Sequence, residues 1–543
     1  MTVFRIKSGN SIDSALHAEG DGQEVDVSSG APEGTRLFVR RGTPTTPWWV
    51  TFFDANTDVK QQSNSGVAFI PIDNALFAVC FGHGKALLLD SKLDYEFGTR
   101  VALNMLDPGK LKSTDTLTPA TAQRRQTQLP FDSDLSLLSF AEDETVLRSI
   151  RGKVKAEFEE LTASVTGSQS VRISTPDQLD DLPKLLRRLQ DLSNSDQFKE
   201  DFPEVGRITP ISDPEIISTL DLELTSAIFN PSAPITLVVP DLIDESEEYT
   251  IQFSGAGGEE FFEDVYIKHY RQYLEGRGVA PQSLTAESLS RHSIRVLGPD
   301  FKEIERVSIY KSLVYSISDP SLDYSFHFNE GVWYRIADEL VTEVRDYLDS
   351  FWIDSQFPNY NHSRESEYNA FLAEHLGMPC LDASDISPSG VTQVEPCDVF
   401  RLQDGSNEYI HVKIGTGSST LSHLFNQGSN SIEFLRSSLD ARAKFATLLE
   451  RLEGSDFATK AVMNVTQGAN KITFVIATHK RDRRTKSDLL PFFSRLSLRR
   501  QLRALQSMGV LATFQFVTDE TDRAGRRKPR KKKSNAPSPP SVP

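Results

Sequence analysis

The sequence has few cysteines and no long apolar run. Its three cysteines, Cys80, Cys380 and Cys397, are scattered among 543 residues and do not form a disulfide framework. No stretch approaches the ~20 apolar residues that span a bilayer. The first residues, MTVFRIKSGNSIDSAL, show no basic flank followed by an apolar core. These absences predict a cytoplasmic protein without a membrane partner.

Motifs of several familiar enzyme classes are also missing. Neither G-x-S-x-G nor H-E-x-x-H occurs, which argues against the common esterases and zinc proteases. The GHGK string at 82–85 is not a GxxxxGK[ST] phosphate loop. The GAGG string at 255–258 lacks the full dinucleotide pattern and is interpreted as a turn. A zinc site remains a disfavoured alternative, because its candidate ligands lack paired C-x₂₋₄-C spacing. Those candidates are His375, Cys380, Cys397 and His411.

Charge is abundant but unevenly distributed. The net charge is −17, yet residues 521–543 hold eight Lys or Arg and one acid. Residues 480–503 hold nine basic residues and two acids. A polyanion such as nucleic acid is therefore expected at the C-terminal end. For the tail itself, a solvated, disordered segment is the alternative.

Length and apolar patterns predict several domains, because 543 residues exceed what one core of about 250–300 residues can hold. Residues 1–134 have short apolar runs between turns, which predicts a β-rich domain ending in a polar linker at 107–134. Residues 135–354 mix helical and strand patterns. Residues 355–520 predict a mixed sheet flanked by helices, and 521–543 a disordered basic tail. The predicted fold class is α/β, organised as an α+β multidomain chain.

The candidate chemistry lies between residues 361 and 428. Two short apolar runs flank a DGSN turn, with Asp398 on the first run and His411 and Lys413 on the second. His411 and Lys413 share a face, because side chains alternate along a strand. Carboxylates can hold a Mg²⁺ or Mn²⁺ ion that activates water, and a lysine can orient the nucleophile. An ordinary half-buried hairpin is the alternative.

Further acids surround this pair of runs. Glu365 and Glu367 lie two residues apart on the preceding helix, so only one of them is expected to face the strands. Glu395 is another candidate oxygen ligand.

The order of these residues resembles the PD-(D/E)xK core of restriction-endonuclease-like nucleases. That core has an Asp, then an acid-x-Lys strand, often followed by a helix bearing Gln. Asp398, His411-x-Lys413 and Gln427 occur in that order, and Glu367 would match the helical Glu of many members. The resemblance implies a metal held by Asp398, His411 and Glu367, with Lys413 acting on water or the transition state and Gln427 positioning the substrate. The departure is His411, because neutral histidine suits Mn²⁺ or Zn²⁺ better than Mg²⁺.

A longer set of strings is similar to a sporadically distributed family of uncharacterised microbial proteins found in defence islands. The strings include FGTRVALNMLD, GVWYRI, SEYNAFLAEHLG, EPCDVF, YIHVK, LSHLFNQGS and LPFFSRLSLRRQLRALQSMGV. This resemblance implies antiviral defence but carries no settled activity.

One predicted helix carries arginines in register. Arg495, Arg499 and Arg503 recur every four residues with Arg500 beside them, which predicts phosphate contact or, alternatively, a solvated face. We therefore predict a divalent-metal-dependent nuclease that cleaves DNA or RNA in phage defence. The alternative is a non-catalytic nucleic-acid-binding, sensor or scaffold protein on a degenerate nuclease fold. A homo-oligomer and a partner protein of the defence system both stay open.

Overall fold

The computed structural model describes residues 1–521 with several gaps. The residues outside the description are 18–21, 119–122, 134–145, 177, 204, 212, 239–249, 259, 263–264, 299–301, 320, 363, 388–393, 404, 416–417, 479–485 and 522–543. The predicted basic tail, most of the basic segment before Lys486, and Asp404 of the DGSN turn therefore lie outside it. By internal contacts the chain forms two compact units, Met1–Glu215 and Ile216–Pro543. The three-part division into 1–134, 135–354 and 355–520 stays a prediction.

The first unit is built on an antiparallel sheet of ten described strands. Their order is β2-β3-β4-β5-β1-β10-β9-β8-β6-β7. The strands are β1 (Thr2–Ile6), β2 (Gln23–Val25), β3 (Arg36–Arg40), β4 (Ser65–Ile72), β5 (Ala75–Phe81), β6 (Leu106–Thr118), β7 (Gln123–Ser133), β8 (Val146–Val154), β9 (Ser164–Gly167) and β10 (Val171–Arg172). The short strand β11 (Ile208–Pro210) lies outside this sheet. The helices are α1 (Ile12–Ala15), α2 (Trp48–Phe52), α3 (Phe97–Met105), α4 (Leu182–Asn194) and α5 (Phe198–Asp201).

A buried helix forms the centre of this unit. Phe97 and Val101 of α3 pack in one apolar cluster with Leu186 and Leu189 of α4 and with sheet residues. Leucines spaced three and four apart place one face of α4 on that cluster. The apolar stripe of α4 is therefore used for packing.

Two expectations for this unit are wrong. Residues 107–134 were expected to form a linker, but β6 and β7 pair across most of them. Polar residues are compatible with a strand whose backbone groups are satisfied by neighbouring strands. The WWVTFF run at 48–53 is one of the short apolar runs that predicted strands, but Trp48–Phe52 is one short helix that begins directly after Pro47.

The second unit contains three further groups of paired strands. The orders are β14-β13-β15-β16, β19-β18-β17-β12 and β20-β21-β22-β23. The strands are β12 (Thr236–Leu237), β13 (Thr250–Ser254), β14 (Glu260–Phe262), β15 (Ser293–Leu297), β16 (Glu303–Ser308), β17 (Leu313–Ser318), β18 (Tyr324–Asn329), β19 (Val332–Ala337), β20 (Val399–Gln403), β21 (Ser406–Ile414), β22 (Ala469–Thr478) and β23 (Leu511–Thr518). The helices are α6 (Pro214–Phe229), α7 (Ile267–Gly276), α8 (Ala286–Arg291), α9 (Ile309–Ser312), α10 (Asp338–Asp349), α11 (Glu365–Leu376), α12 (Ser418–Ser437), α13 (Leu439–Glu453), α14 (Ser455–Gln467) and α15 (Phe492–Ser507).

The last sheet is mixed and carries the candidate site. β20 and β21 are antiparallel, whereas β21, β22 and β23 are parallel to one another. Gly405, at φ +73°, completes the tight turn that pairs Gln403 with Ser406. Tyr368 of α11 packs with Val412 on one face of the sheet, and Phe425 of α12 packs on Phe474. These features confirm the predicted α/β class, its multidomain α+β organisation and the mixed C-terminal sheet.

Among the described residues, none of the helices has both the length and the apolar character that a bilayer crossing requires.

Candidate functional site

Asp398 is held at the start of the first strand of the mixed sheet. It directly precedes β20, and its backbone N–H donates to the carbonyl of Ile410 on β21 at 3.0 Å. Its Oδ2 accepts from the backbone N–H of Val412 at 2.7 Å, and its Oδ1 accepts from Asn369 Nδ2 of α11 at 3.3 Å. Both carboxylate oxygens are therefore fixed by neighbouring elements.

The loop after α11 brings a second acid to Asp398. Gly377, at φ +62°, ends α11 in the left-handed conformation that a glycine tolerates. The chain then returns along the sheet, and Leu381 N–H donates to the Asp398 carbonyl at 2.8 Å. Asp382, the next residue, is thereby placed at the same strand end.

A third acid comes from the approach to β20. The loop between Asp382 and Glu395 is held by Asp385, whose carboxylate accepts from the backbone N–H groups of Ser387 and Val394. Oxygen atoms of Asp382, Glu395 and Asp398 then lie within 4.8 Å of one another. This group, called here the acidic triad, is the one cluster of metal-ligand type found among the described residues.

The acidic triad is short of positive charge. Burial, followed by the carboxylates of Asp382 and Glu395, raises the pKa of Asp398 to about 8. The N–H of Val412 and the charge of Lys413 lower that pKa but do not compensate. Three hard oxygen donors in such surroundings fit a divalent cation such as Mg²⁺ or Mn²⁺.

Lys413 lies on the next strand and is clamped by α11. Its Nζ contacts Glu365 Oε1 at 3.1 Å, and the two side chains are only 16% and 17% exposed. Glu365 Oε2 also accepts from the backbone N–H of Ile414 at 3.0 Å. The carboxylate therefore fixes both the strand end and the ammonium, whose charge is felt by Asp398.

Gln427 joins the cluster from α12. Its Nε2 donates to Glu395 Oε2 at 2.7 Å. Asp398, Lys413 and Gln427 are thus gathered in one region, as their order in the sequence predicted, but Gln427 reaches the acidic triad through Glu395.

Two of the predicted ligands, His411 and Glu367, are not part of the acidic triad. His411 is buried beside Phe474, and neither ring nitrogen has a hydrogen-bond partner among the described residues. Burial lowers the pKa of His411 to about 3, so the ring is neutral. Glu367 is exposed on α11 and lies outside the buried helix face that packs on the sheet. The acidic triad includes neither residue.

Sequence reasoning missed Asp382 and preferred Glu367 to Glu365 as the helical acid. Asp382 carries no motif signal, because the loop that delivers it is irregular. Glu365 could have been chosen over Glu367, since it precedes the buried Tyr368, Asn369 and Leu372 by three, four and seven residues. That spacing marks one helix face.

The four predicted phosphate-binding arginines do not form one exposed face. Arg495 and Arg499 are 8% and 3% exposed, because α15 packs against its neighbours on several sides. Arg495 donates to Asp488 at 2.8 Å, and burial, followed by Arg503, lowers the pKa of Arg499 to about 10. Arg500 is half-buried, and the exposed Arg503 lies over the Tyr347 ring.

The zinc alternative gains nothing from the structure. Burial raises the pKa of the Cys380 and Cys397 thiols, so neither is a thiolate near neutral pH. No cluster containing a histidine or cysteine occurs among the described residues.

Comparison with known proteins shows one family, whose model matches most of the chain. A sequence model described as a family of unknown function, DUF6119, matches residues 1–518. The chain belongs to this family. No curated protein and no solved structure matches it. The matched residues include the first compact unit and, in the second, the acidic triad, Lys413 and Gln427.

Proposed function

We propose that this DUF6119 protein hydrolyses phosphodiester bonds of DNA or RNA with a divalent metal ion. The observation that carries the proposal is the convergence of Asp382, Glu395 and Asp398 within 4.8 Å, beside Lys413. Three carboxylates and one ammonium provide metal ligation and charge stabilisation in the same small region.

The donor set decides the class of metal. All three groups offer oxygen atoms, which favour Mg²⁺ or Mn²⁺ over the softer metals that histidine and thiolate select. When bound, such an ion lowers the pKa of water and neutralises charge on the phosphate. Asp382 and Glu395 replace the acid that is absent at His411.

The remaining residues orient these groups. Val412 N–H and Asn369 fix the Asp398 carboxylate, and Gln427 fixes that of Glu395. Glu365 holds Lys413 Nζ, whose charge can stabilise the phosphate as water attacks phosphorus and one P–O ester bond breaks. The products are a phosphate monoester end and a hydroxyl end.

The cellular setting is part of the same proposal. We place the protein in the cytoplasm of a microbial cell, as a nuclease of an antiviral defence system that meets foreign nucleic acid in that compartment. The similarity of several sequence strings to defence-island proteins supports this setting.

Cleavage assays with purified protein test the chemistry. We expect single- or double-stranded DNA or RNA to be cut with Mn²⁺ or Mg²⁺, and not with EDTA. Asp398→Asn and Lys413→Ala should each lower the rate at least about 100-fold, as loss of a charge-stabilising group does. Glu367→Gln is the matched control, because it removes an acid from the exposed face of α11.

The controls separate the alternatives. The acidic triad would be excluded as the catalytic site if Asp398→Asn or Lys413→Ala cleaved nucleic acid at the wild-type rate. It would also be excluded if Glu367→Gln lowered the cleavage rate as much as they do. Tight binding of nucleic acid without cleavage under any metal condition would favour the non-catalytic alternative on the same fold.

A further inference from the structure

A long loop of the first unit connects β3 and β4. Residues 41–64 connect these strands, and Thr45 and Gln61 exchange two backbone hydrogen bonds of 2.9 Å across its base. Lys60 Nζ also donates to Thr46 Oγ1 at 2.7 Å, and Gln62 donates to the Gly42 carbonyl. These hydrogen bonds hold the base of the loop together, and residues 41–64 are called here the arm.

The arm presents aromatic rings to solvent. Trp48, Phe52 and Phe53 are each 72% exposed, and Trp49 is 44% exposed. The rings of Trp48 and Phe52 meet edge to face at 5.9 Å between centroids, and Phe52 and Phe53 do so at 5.0 Å. Edge-to-face contact leaves ring faces uncovered, which is costly in water unless a ligand covers them.

Positive charge and a further aromatic ring lie at the root of the arm. Residues 41–64 contain two basic residues and two acids, and Arg36 of β3 is paired with Glu24 and Asp13, so the positive charge here is that of Arg40 and Arg41. Arg40 and Arg41 are exposed at the end of β3, where the arm begins. The sheet register aligns Val39 with Gly66, and Gly66 with Phe81, which is 49% exposed. Arginines and aromatic rings therefore meet at one end of the sheet.

We propose that the aromatic arm, residues 41–64 with Arg40 and Phe81, binds single-stranded nucleic acid. Bases would stack on Trp48, Phe52 and their neighbours, while Arg40 and Arg41 contact the phosphates. Aromatic faces with nearby cations are the combination by which proteins hold unpaired strands. In a duplex the base faces are covered by their neighbours, so the arm selects unpaired strands. This surface lies in the first unit and is independent of the acidic triad.

Fluorescence reports the contact directly. The chain has four tryptophans, and Trp333 is buried whereas Trp48 and Trp49 are exposed. In EDTA, where no metal-dependent cleavage occurs, an oligo-dT strand of about 16 nucleotides should quench the tryptophan emission of the full-length protein. A duplex of equal length should quench it at least about tenfold more weakly.

Substitutions test the residues, with anisotropy of a fluorescein-labelled oligo-dT strand as the readout. Trp48→Ala and Phe52→Ala should each weaken binding about tenfold, the usual effect of one lost base stack. Arg41→Gln should lower the slope of log affinity against log salt by about 1. Leu439→Ala, which truncates a side chain 78% exposed in the second unit, is the matched control and should bind as the wild type does.

Other outcomes would overturn the proposal. Equal affinity for duplex and single strand, or unchanged binding by Trp48→Ala, would remove base stacking. Binding of Trp48 to phosphatidylcholine–phosphatidylserine vesicles, or a dimer that Trp48→Ala dissociates, with no oligo-dT affinity, would assign the arm to a membrane or to a second copy. Asp398→Asn should bind oligo-dT normally, so that failure of the nuclease proposal and failure of this one are distinguishable.

Discussion

Asp398→Asn should abolish the stabilisation that a bound metal ion gives the folded protein, while it changes the stability of the metal-free protein little. When Asp398 is ionised, as metal binding requires, its charge lies within 4.8 Å of the carboxylate oxygens of Asp382 and Glu395. Two unit charges at that distance repel by about 3.5 kcal/mol when the effective dielectric constant is about 20. The substitution keeps the shape of the side chain but removes its charge.

The metal-free effect is small because two contributions oppose each other. Burial and the neighbouring carboxylates raise the pKa of Asp398 to about 8, so this carboxyl is mostly protonated near pH 7 in the metal-free protein. The substitution therefore relieves repulsion and desolvation only for the ionised fraction. Asparagine has one acceptor oxygen, however, so either the Val412 N–H or the Asn369 amide loses its acceptor, at a cost of about 1–3 kcal/mol. We expect the free energy of unfolding of the metal-free variant to lie within about 2 kcal/mol of the wild type.

The effect of Asp398→Asn on the stability of the metal-bound protein is large. A ligand present at about 100 times its Kd stabilises the folded state by about 2.7 kcal/mol, which for a unit of this size raises Tm by about 5 °C. Scanning calorimetry with Mn²⁺ and with EDTA measures both states. The wild type and Glu367→Gln should gain about 5 °C with Mn²⁺, and Asp398→Asn less than about 1 °C. A full Mn²⁺ increment in Asp398→Asn, or none in the wild type, would refute the assignment of the acidic triad as a metal site.

Three further predictions concern the second unit. Glu365→Gln should lower the free energy of unfolding, measured in urea, by about 1–2 kcal/mol, because Glu365 holds a lysine and a backbone N–H. Glu367→Gln should change this free energy by less than about 0.5 kcal/mol. Equal losses in the two variants would contradict this prediction. Burial, followed by Arg495, lowers the pKa of His327 from 6.5 to about 3. The unfolded chain therefore binds a proton that the folded chain does not between those values, so stability should be full above pH 6.5 and fall by up to several kcal/mol as the pH drops towards 3. His327→Gln should flatten that decline in urea titrations, and an unchanged profile would exclude His327 as its source. Arg495→Met should lower the free energy of unfolding by about 2 kcal/mol and Arg503→Met by less than about 1 kcal/mol. Both variants should bind oligo-dT in EDTA with nearly unchanged affinity. A larger loss of stability in Arg503→Met than in Arg495→Met would contradict the observed burial.

Local patterns predicted most elements of the last sheet. The apolar periods of residues 364–376, 408–414 and 510–517 predict a helix and two strands. These correspond to α11 (Glu365–Leu376), β21 (Ser406–Ile414) and β23 (Leu511–Thr518). These segments have clear periods of apolar residues, and period is a local property. α14 (Ser455–Gln467) was not predicted.

The candidate site was predicted in part for a similar reason. Asp398 and Lys413 were found because each lies on or beside a strand that is visible in the sequence. Glu367 was chosen over Glu365, although the helical spacing to Tyr368 and Leu372 favours Glu365. Asp382 could not be predicted, because an irregular loop brings it to Asp398 through one backbone hydrogen bond.

The sequence by itself determined the apolar periods, the fold class and the neighbourhood of Asp398 and Lys413, since these depend on residues that are close along the chain. Only the tertiary structure decided which charges meet. It buried His411, Arg495 and Arg499 and exposed the rings of Trp48 and Phe52. It also brought Asp382 beside Asp398. Such choices depend on long-range packing, in which desolvation and the partners supplied by other elements outweigh the preferences of any single segment.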